Sequence, residues 1–349
     1  MIFDRSRGIH FNLKSKIFSN FPVYTSNSVI GNYVDEEGYM GPIGCGAVSL
    51  DKRNALIKSF SESVERRSLM FGAKSVGEAS FAYDLLSEKV VEIPTKLTKY
   101  NEYNPTVDTT GTAVHTDPYH SLYNALVELL EKNCIFLFWY GKYGTKLRTE
   151  DYKSIYINKM DKDGLIVHLF LQDFFFPLLV VLCIVEDKEG RITYKFGSGS
   201  GMHLNDAVDK AVSEAYFLGR YHDLKNYFEE GILNKHDQFV MSPKAIDHIQ
   251  DLLNIKYNNN SPDDNITDFD SKTKITKILG GLPKWITSMN VSVLQQKIHT
   301  SSISIKVSSN ELLTHIPQKK FINEKVMINQ RTLGLTAMEL ENYPDCPII

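Results

Sequence analysis

The chain has 349 residues, 42% hydrophobic and 23% charged, a composition that supports one large or two medium globular domains with a sizeable core. Its net charge is −3 and its basic residues are scattered, which excludes the electrostatic footprint of a nucleic-acid binder. Residues 1–21 hold no continuous apolar core before a small-residue cleavage site, and the longest apolar run, 174–185, is shorter than the roughly 20 residues of a membrane span. The expectation is a cytoplasmic protein that engages neither membrane nor nucleic acid. The four cysteines, Cys45, Cys134, Cys183 and Cys346, form no CxxC pair, so they indicate neither a zinc site nor a disulfide framework and read as buried, inert thiols.

The first predicted element is a helix over 52–71, with Asp51 as N-cap and Gly72 as terminator. Asp117-Pro118, an N-cap followed by proline at the first helical position, opens a second helix that runs to about Tyr140, before Gly141. Residues 176–185, a turn at 186–190 and residues 192–196 read as a β-hairpin entering the core of a sheet. The run Gly197-Ser-Gly-Ser-Gly201 has the spacing of neither a P-loop nor a dinucleotide fingerprint and reads as a flexible turn. A third helix starts after Asn205 and extends to about Tyr221. All three helices read as amphipathic, and His115 and His203, just before the second and third, read as loop or capping residues. The polar stretch 257–270, with three consecutive asparagines and Ser261-Pro262, reads as an exposed loop or insertion. Residues 292–298 and 301–307 alternate as strands do, and the tail from Pro317 reads as irregular. The aromatic-rich segments 136–143 and 174–176 read as core or partner interface.

The three helices share a pattern at fixed offsets before a glutamate. Ala55-Leu56-x-x-Ser59-x-x-Glu62 matches Ser121-Leu122-x-x-Ala125-x-x-Glu128 and Ala207-Val208-x-x-Ala211-x-x-Glu214. Upstream, Ala47-Val48 matches Ala113-Val114. Small residues seven and three positions before the glutamate suit close helix packing, and an internal repeat follows from the match.

Residues three apart on a helix share a face, so Glu62 with Glu65, and Glu128 with Glu131, each aim two carboxylates in one direction. Like charges so placed repel, and buried they require a cation. Mg²⁺ is the natural one, because it takes hard oxygen ligands and completes its octahedron with water and phosphate oxygens. The second pair is flanked by apolar residues, Leu126-Val127-Glu128-Leu129-Leu130-Glu131, a poor composition for a solvated face.

These residues carry a resemblance. Gly44-Cys-Gly46 before Glu62-Ser-Val-Glu65-Arg66, then Asp108-Thr-Thr-Gly111-Thr-Ala113 before Glu128-Leu-Leu-Glu131, then Gly199-Ser-Gly201 before Ala207 and Glu214, resemble the YcaO family over roughly 40–225. More narrowly, residues 129–142 with Trp139-Tyr-Gly-Lys142, and the C-terminal half, are similar to the discrete YcaO subunits of the microcin B17 synthetase type. The resemblance implies a mixed α/β (α+β) YcaO-type ATP-binding fold, with internal strand–helix repeats around a central nucleotide site. It implies one catalytic domain over 1–349, with the nucleotide-binding helices within 40–225 and a C-terminal sheet and tail over 271–349.

Carried over residue by residue, Glu62, Glu65, Glu128 and Glu131 are implied Mg²⁺ ligands, and Arg66 and Glu214 complete the nucleotide site; no catalytic residue is assigned. Lys58 stands where the family usually has serine, Lys132-Asn133 replaces an Arg-Asp pair, and Phe217 or Leu218 falls where glutamine is common. The two lysines are expected to bind phosphate as point charges. The implied activity is that of an ATP-dependent cyclodehydratase, forming thiazoline or oxazoline rings in a ribosomally made peptide during bacteriocin or antibiotic biosynthesis. The implied partners are a precursor peptide, a leader-binding partner of the E1-like or RRE-containing kind, an FMN-dependent dehydrogenase, and a second copy of the chain within a larger complex. Thioamide or amidine formation, and a degenerate scaffold subunit, are the competing readings.

Overall fold

The computed structural model describes residues 18, 24–27, 45–100, 107–190, 193–229, 241–257, 268–296 and 301–348. In chain order these form β1 (Tyr24–Asn27), β2 (Gly46–Ser49), α1 (Lys52–Phe71), β3 (Ser75–Val76), β4 (Ala79–Asp84), β5 (Lys89–Pro94), β6 (Thr112–His115) and α2 (Pro118–Gly141). There follow β7 (Thr145–Leu147), α3 (Ile155–Lys162), β8 (Leu165–Gln172), β9 (Leu179–Asp187), β10 (Lys195–Gly201), α4 (Leu204–Glu229) and α5 (Pro243–Leu253). The remainder comprises α6 (Ser271–Gly281), β11 (Asn290–Val293), β12 (Ile303–Ser308), α7 (Met327–Thr332) and α8 (Ala337–Glu341). The chain divides into two compact units, one built from 22–133 and 269–332, the other from 134–268 and 333–349, each with a short piece of the N-terminal region.

In the first unit a wholly antiparallel sheet runs in the order β3-β4-β11-β12-β6, with β5 also paired to β4, and β1 pairs with β2 separately. The polar face of its central strands is covered. Ser292, Lys306 and Thr112 lie side by side across β11, β12 and β6, and all three are buried. Helix α1 lies against this face, where Ser304 Oγ and Ser68 Oγ are 2.8 Å apart. Asp51 caps α1 by accepting from the Asn54 backbone N–H at 2.8 Å, and Gly72 ends it at φ +66°, a left-handed conformation that glycine adopts without strain. Asn133 holds the far side together: its side chain donates to Leu129 O and Leu313 O and accepts from the Leu313 N–H.

In the second unit the antiparallel sheet runs β10-β9-β8-β7. Every residue from Leu179 to Val185 is at most 2% exposed, so β9 is covered on both faces. The C-terminal half of α2 belongs to this unit, and Ile135, Phe136, Leu137, Phe138 and Trp139 are all fully buried, so here the helix is buried all round rather than amphipathic. The Trp139 indole N–H donates to Pro344 O at 2.9 Å and thereby holds the tail 333–348 in the core of the unit.

Three expectations need correction. The glycine run 197–201 is strand β10, not a turn. Its glycines are needed because α4 lies on the strand backbone: a Cβ on Gly197 would meet Ala211 O at 2.2 Å, and one on Gly199 would meet Ala207 O at 2.4 Å. Gly199→Ala is therefore expected to destabilise the protein by about 3 kcal/mol, read as a lower urea midpoint, because the two nearest obstacles, Ala207 O and Ala211 N, are backbone. The tail from Pro317 carries α7 and α8. The second has a capping box in Thr336 and Glu339, which was present in the sequence as Thr-x-x-Glu. Helix α6 occupies 271–281, where a sheet was expected, with Asp270 as N-cap. The expected loop at 257–270 lies mostly outside the described residues. Strand β12 falls within a residue or two of its expected place, and β11 starts earlier, at Asn290; residues 297–298 of its expected span also lie outside.

The repeat has a structural counterpart. Strand is followed by helix at β2–α1, β6–α2 and β10–α4, and the small residues of the pattern, Ala55, Ser59, Ser121, Ala125, Ala207 and Ala211, are at most 1% exposed. They are small because the helix lies close on its neighbours at each.

Candidate functional site

The first unit gathers the two glutamate pairs. Glu62 and Glu65 are a turn apart on α1, and Glu128 and Glu131 are a turn apart on α2. Arg66, one turn after Glu62, donates from Nη2 to Glu62 Oε1 at 2.6 Å. Burial pushes the Glu62 carboxyl up, while Arg66 and a Gly46 backbone hydrogen bond pull it down; burial prevails.

Glu65 and Glu128 are the deeper pair. Burial, then the charges of Glu128 and Glu62, hold Glu65 well above the ordinary carboxylate range, against the pull of Arg66 and Lys306. Burial raises Glu128 to about 7, with Lys132 and Lys306 lowering it and Asp108 and Glu131 raising it. The two helices thus bring their carboxylates within reach of one another, across 63 residues of sequence.

Two basic groups lie inside this cluster. Lys132, the residue after Glu131, is 8% exposed. Lys306, in the middle of β12, is 1% exposed, and its Nζ donates to Thr110 O and to Asp108 O, the latter at 2.9 Å. Burial lowers the Lys306 ammonium from its ordinary value, and the charges of Asp108, Glu128 and Glu65 raise it in part. Asp108 is itself fixed: Oδ1 accepts from the Thr110 N–H at 2.7 Å and Oδ2 from the Ile316 N–H at 2.7 Å. Gly111 closes the turn at φ +73°, where a Cβ would meet Val307 O at 2.6 Å, so this position requires glycine.

The donor set suits a hard divalent cation. Its oxygens are carboxylates, and the like charges that raise Glu65 are those a cation would neutralise. Arg66 Nε, Thr110 Oγ1 and Thr112 Oγ1 are buried without a hydrogen-bond partner, an arrangement expected where ligand or water completes a site. Among the described residues no three His, Cys, Asp or Glu side chains converge as a self-sufficient metal centre. Mg²⁺ does not require one, since one or two carboxylates with water and phosphate oxygens commonly suffice.

Of the other expected site residues, Lys58 is exposed, one turn before Glu62 on α1. Glu214 belongs to the second unit, where the Ser198 N–H and hydroxyl both donate to its Oε2 and tie α4 to β10. His115 Nδ1 accepts from the Asp117 N–H at 2.9 Å and stacks on His120, and His203 O accepts from the Ala207 N–H, so both serve helix starts. Cys45, Cys134, Cys183 and Cys346 are buried and unbridged, with burial pushing the Cys45 thiol up.

Lys306 and the Asp108 side chain were not identified as site residues from sequence. Asp108 stands in the quoted Asp-Thr-Thr-Gly run. Lys306 gives no signal, because Ser304-x-Lys306-x-Ser308 on a strand reads as a solvated polar face.

A family model described as YcaO cyclodehydratase, binding ATP and Mg²⁺, matches residues 37–279. No curated protein matches the sequence. Among solved structures, YcaO from Methanopyrus kandleri bound with AMPPCP and Mg²⁺ has a TM-score of 0.68 at 12% identity, over 92% of this chain and 90% of that one. The E. coli microcin synthetase McbBCD complex with pro-MccB17 bound gives 0.65 at 14% identity, over 97% and 99% of the two chains. A heterocyclase in complex with substrate and cofactor gives 0.63 at 12%, over 83% of this chain and 48% of that one. At these identities the structural likeness establishes a shared fold. Among the described residues no helix is long and apolar enough to cross a membrane.

Proposed function

Since the chain belongs to the YcaO cyclodehydratase family, an ATP- and Mg²⁺-binding family, we propose that it is the ATP-dependent subunit that closes thiazoline or oxazoline rings in a ribosomally made precursor peptide. The observation that carries the site assignment is the charge crowding on Glu65, raised by its burial and by Glu128 and Glu62. ATP and Mg²⁺ are the cofactors of this chemistry, with Glu62, Glu65, Glu128 and Glu131 as the cation's holders and Arg66, Lys58 and Lys132 toward phosphate. Bound there, Mg²⁺ would offset the charge of the triphosphate during phosphoryl transfer. Glu214 is assigned to the nucleotide site by the family pattern.

The reaction follows from leaving-group chemistry. A Cys, Ser or Thr side chain of the peptide attacks the preceding backbone carbonyl carbon and loses its proton. The amide oxygen takes the γ-phosphoryl group of ATP; the amide N–H then gives up its proton as the C–O bond breaks, releasing phosphate and leaving the C=N bond of the azoline. The peptide loses one water per ring, and ATP becomes ADP and phosphate. Phosphorylation is required because an amide oxygen is a poor leaving group. Basic residues deep in the site, Lys132 and Lys306, hold positive charge where negative charge accumulates.

We assign the enzyme to the cytoplasm, as one catalytic domain over 1–349, a reading that the family match across residues of both units supports. A leader-binding partner, an FMN-dependent dehydrogenase and a second copy of the chain are the partners proposed, in bacteriocin or antibiotic biosynthesis. The likeness to McbBCD, whose structure holds pro-MccB17, supports a peptide substrate and partner proteins. Incubating the protein with Mg-ATP, its partners and a Cys/Ser/Thr-rich precursor is expected to remove one water per ring, read by mass spectrometry. A gain of mass dependent on a sulfur source would instead establish thioamide formation. An unchanged peptide, with no ATP consumed, would refute both.

A further inference from the structure

The structure assigns to Lys306 a role beyond that reading: it is a positioning residue, a built-in cation that holds the Glu65/Glu128 carboxylates together in the metal-free protein and supplies charge that Mg²⁺ would otherwise have to supply. The inference rests on the proposal that these carboxylates face the Mg-nucleotide, and four observations on the chain itself support it.

The first is placement. Lys306 is central in β12, between Ser292 of β11 and Thr112 of β6, on the face that α1 covers, and 1% of it is exposed. A lysine so buried must have its charge compensated. The second is tethering. Two of its three N–H donors go to the Asp108 and Thr110 carbonyls, which fixes the nitrogen against the Asp108–Gly111 turn. The third is the company of charges. Asp108, Glu128 and Glu65 interact with it, and the same lysine is among the groups that stabilise the ionised forms of Glu65 and Glu128. The fourth is the unpartnered hydroxyls of Thr110 and Thr112, both buried beside the lysine. They are buried hydroxyls at this corner that a ligand or water would complete.

A lysine ammonium differs from Mg²⁺ in carrying one charge and no ligand shell to fill, so it remains in place whether nucleotide is bound or not. It is tethered to the Asp108–Gly111 turn, and its charge acts on Glu65 of α1 and Glu128 of α2. Where both carboxylates are ionised, loss of that charge leaves them to repel each other until a cation arrives.

The test uses the full chain without nucleotide. Lys306→Met is expected to lower Tm by on the order of 10 °C, the consequence of removing one partner from a buried charge cluster. Mg²⁺ alone is expected to recover much of that loss, with a midpoint concentration at least tenfold below the one at which it stabilises the wild-type chain. The double variant Lys306→Met/Glu128→Gln, which removes a positive and a negative charge together, is expected to return Tm close to wild type, and it remains informative if the single variant does not fold. Equal loss of Tm in the single and double variants, or a Mg²⁺ midpoint unchanged from wild type, would overturn the role. Wild-type binding of Mg-ATP, measured in parallel, separates this outcome from a failure of the site assignment: if it is absent, the site assignment fails whatever Lys306 does.

Discussion

Glu65→Gln and Glu128→Gln are each expected to lower phosphate release from Mg-ATP in the presence of precursor peptide and partners by at least a hundredfold, with the fold retained. The size follows from removing one fixed charge that acts on a transferring phosphoryl group, an effect of about 3–4 kcal/mol in comparable sites. The second half of the expectation makes it specific. Each of these carboxylates is held up by burial, and Glu65 also by the charge of Glu128, so an uncharged amide of the same shape relieves repulsion. The metal-free variants are therefore expected to unfold at the same temperature as wild type or higher. A residue that only supports the fold would lose activity and stability together. Glu62→Gln and Glu131→Gln are expected to lose turnover in the same way, and wild-type turnover in any of the four would remove that residue from the site.

The metal-free protein is also expected to lose stability as pH rises from about 4 to about 7. The Glu128 carboxyl titrates at about 7 in the folded chain and near 4.5 when unfolded. Below 4.5 both states hold the proton, and this group's contribution is at its most favourable. Between the two values the unfolded chain has released the proton while the folded chain retains it, so the folded state loses ground with every increment of pH. Above about 7 both are ionised and the loss is complete, on the order of 3 kcal/mol. Glu65, raised by burial and by Glu128, acts in the same direction. The groups facing Glu128 set the extent: Asp108 and Glu131 deepen the loss, and Lys132 and Lys306 limit it. Urea unfolding at pH 5 and pH 8 checks this, with Mg-ATP expected to flatten the difference by stabilising the ionised cluster. Equal stability at the two pH values, or the reverse order, would contradict it.

Much of the candidate site was legible because helix chemistry is local. Asp51, Gly72, Asp117 and Pro118 set the limits of α1 and α2, and the three-residue spacing placed each glutamate pair on one face. The repeat of small residues indicated close packing before any contact was known. What could not be read was non-local. Nothing near Lys306 in sequence reveals that α1 covers its strand face, and a strand alternating apolar and polar residues looks the same whether the polar side meets water or a helix. The glycines of β10 were misread for a related reason. In isolation Gly-Ser-Gly-Ser-Gly is flexible, and only the closeness of Ala207 and Ala211 in α4 explains why a strand needs glycine there. Glu214 repeats the helical pattern of Glu62 and Glu128, yet its carboxylate is engaged by Ser198, a partner 16 residues away on another element.

The central claim, that clustered glutamates on α1 and α2 hold a Mg-nucleotide for amide activation, is tested most directly by calorimetric titration of ATP into the full-length protein, with its partners present, with and without Mg²⁺. The account predicts binding that requires Mg²⁺ and is lost in Glu128→Gln. No binding at millimolar ATP with Mg²⁺ present, or binding that is equally strong without Mg²⁺ and in Glu128→Gln, would contradict it.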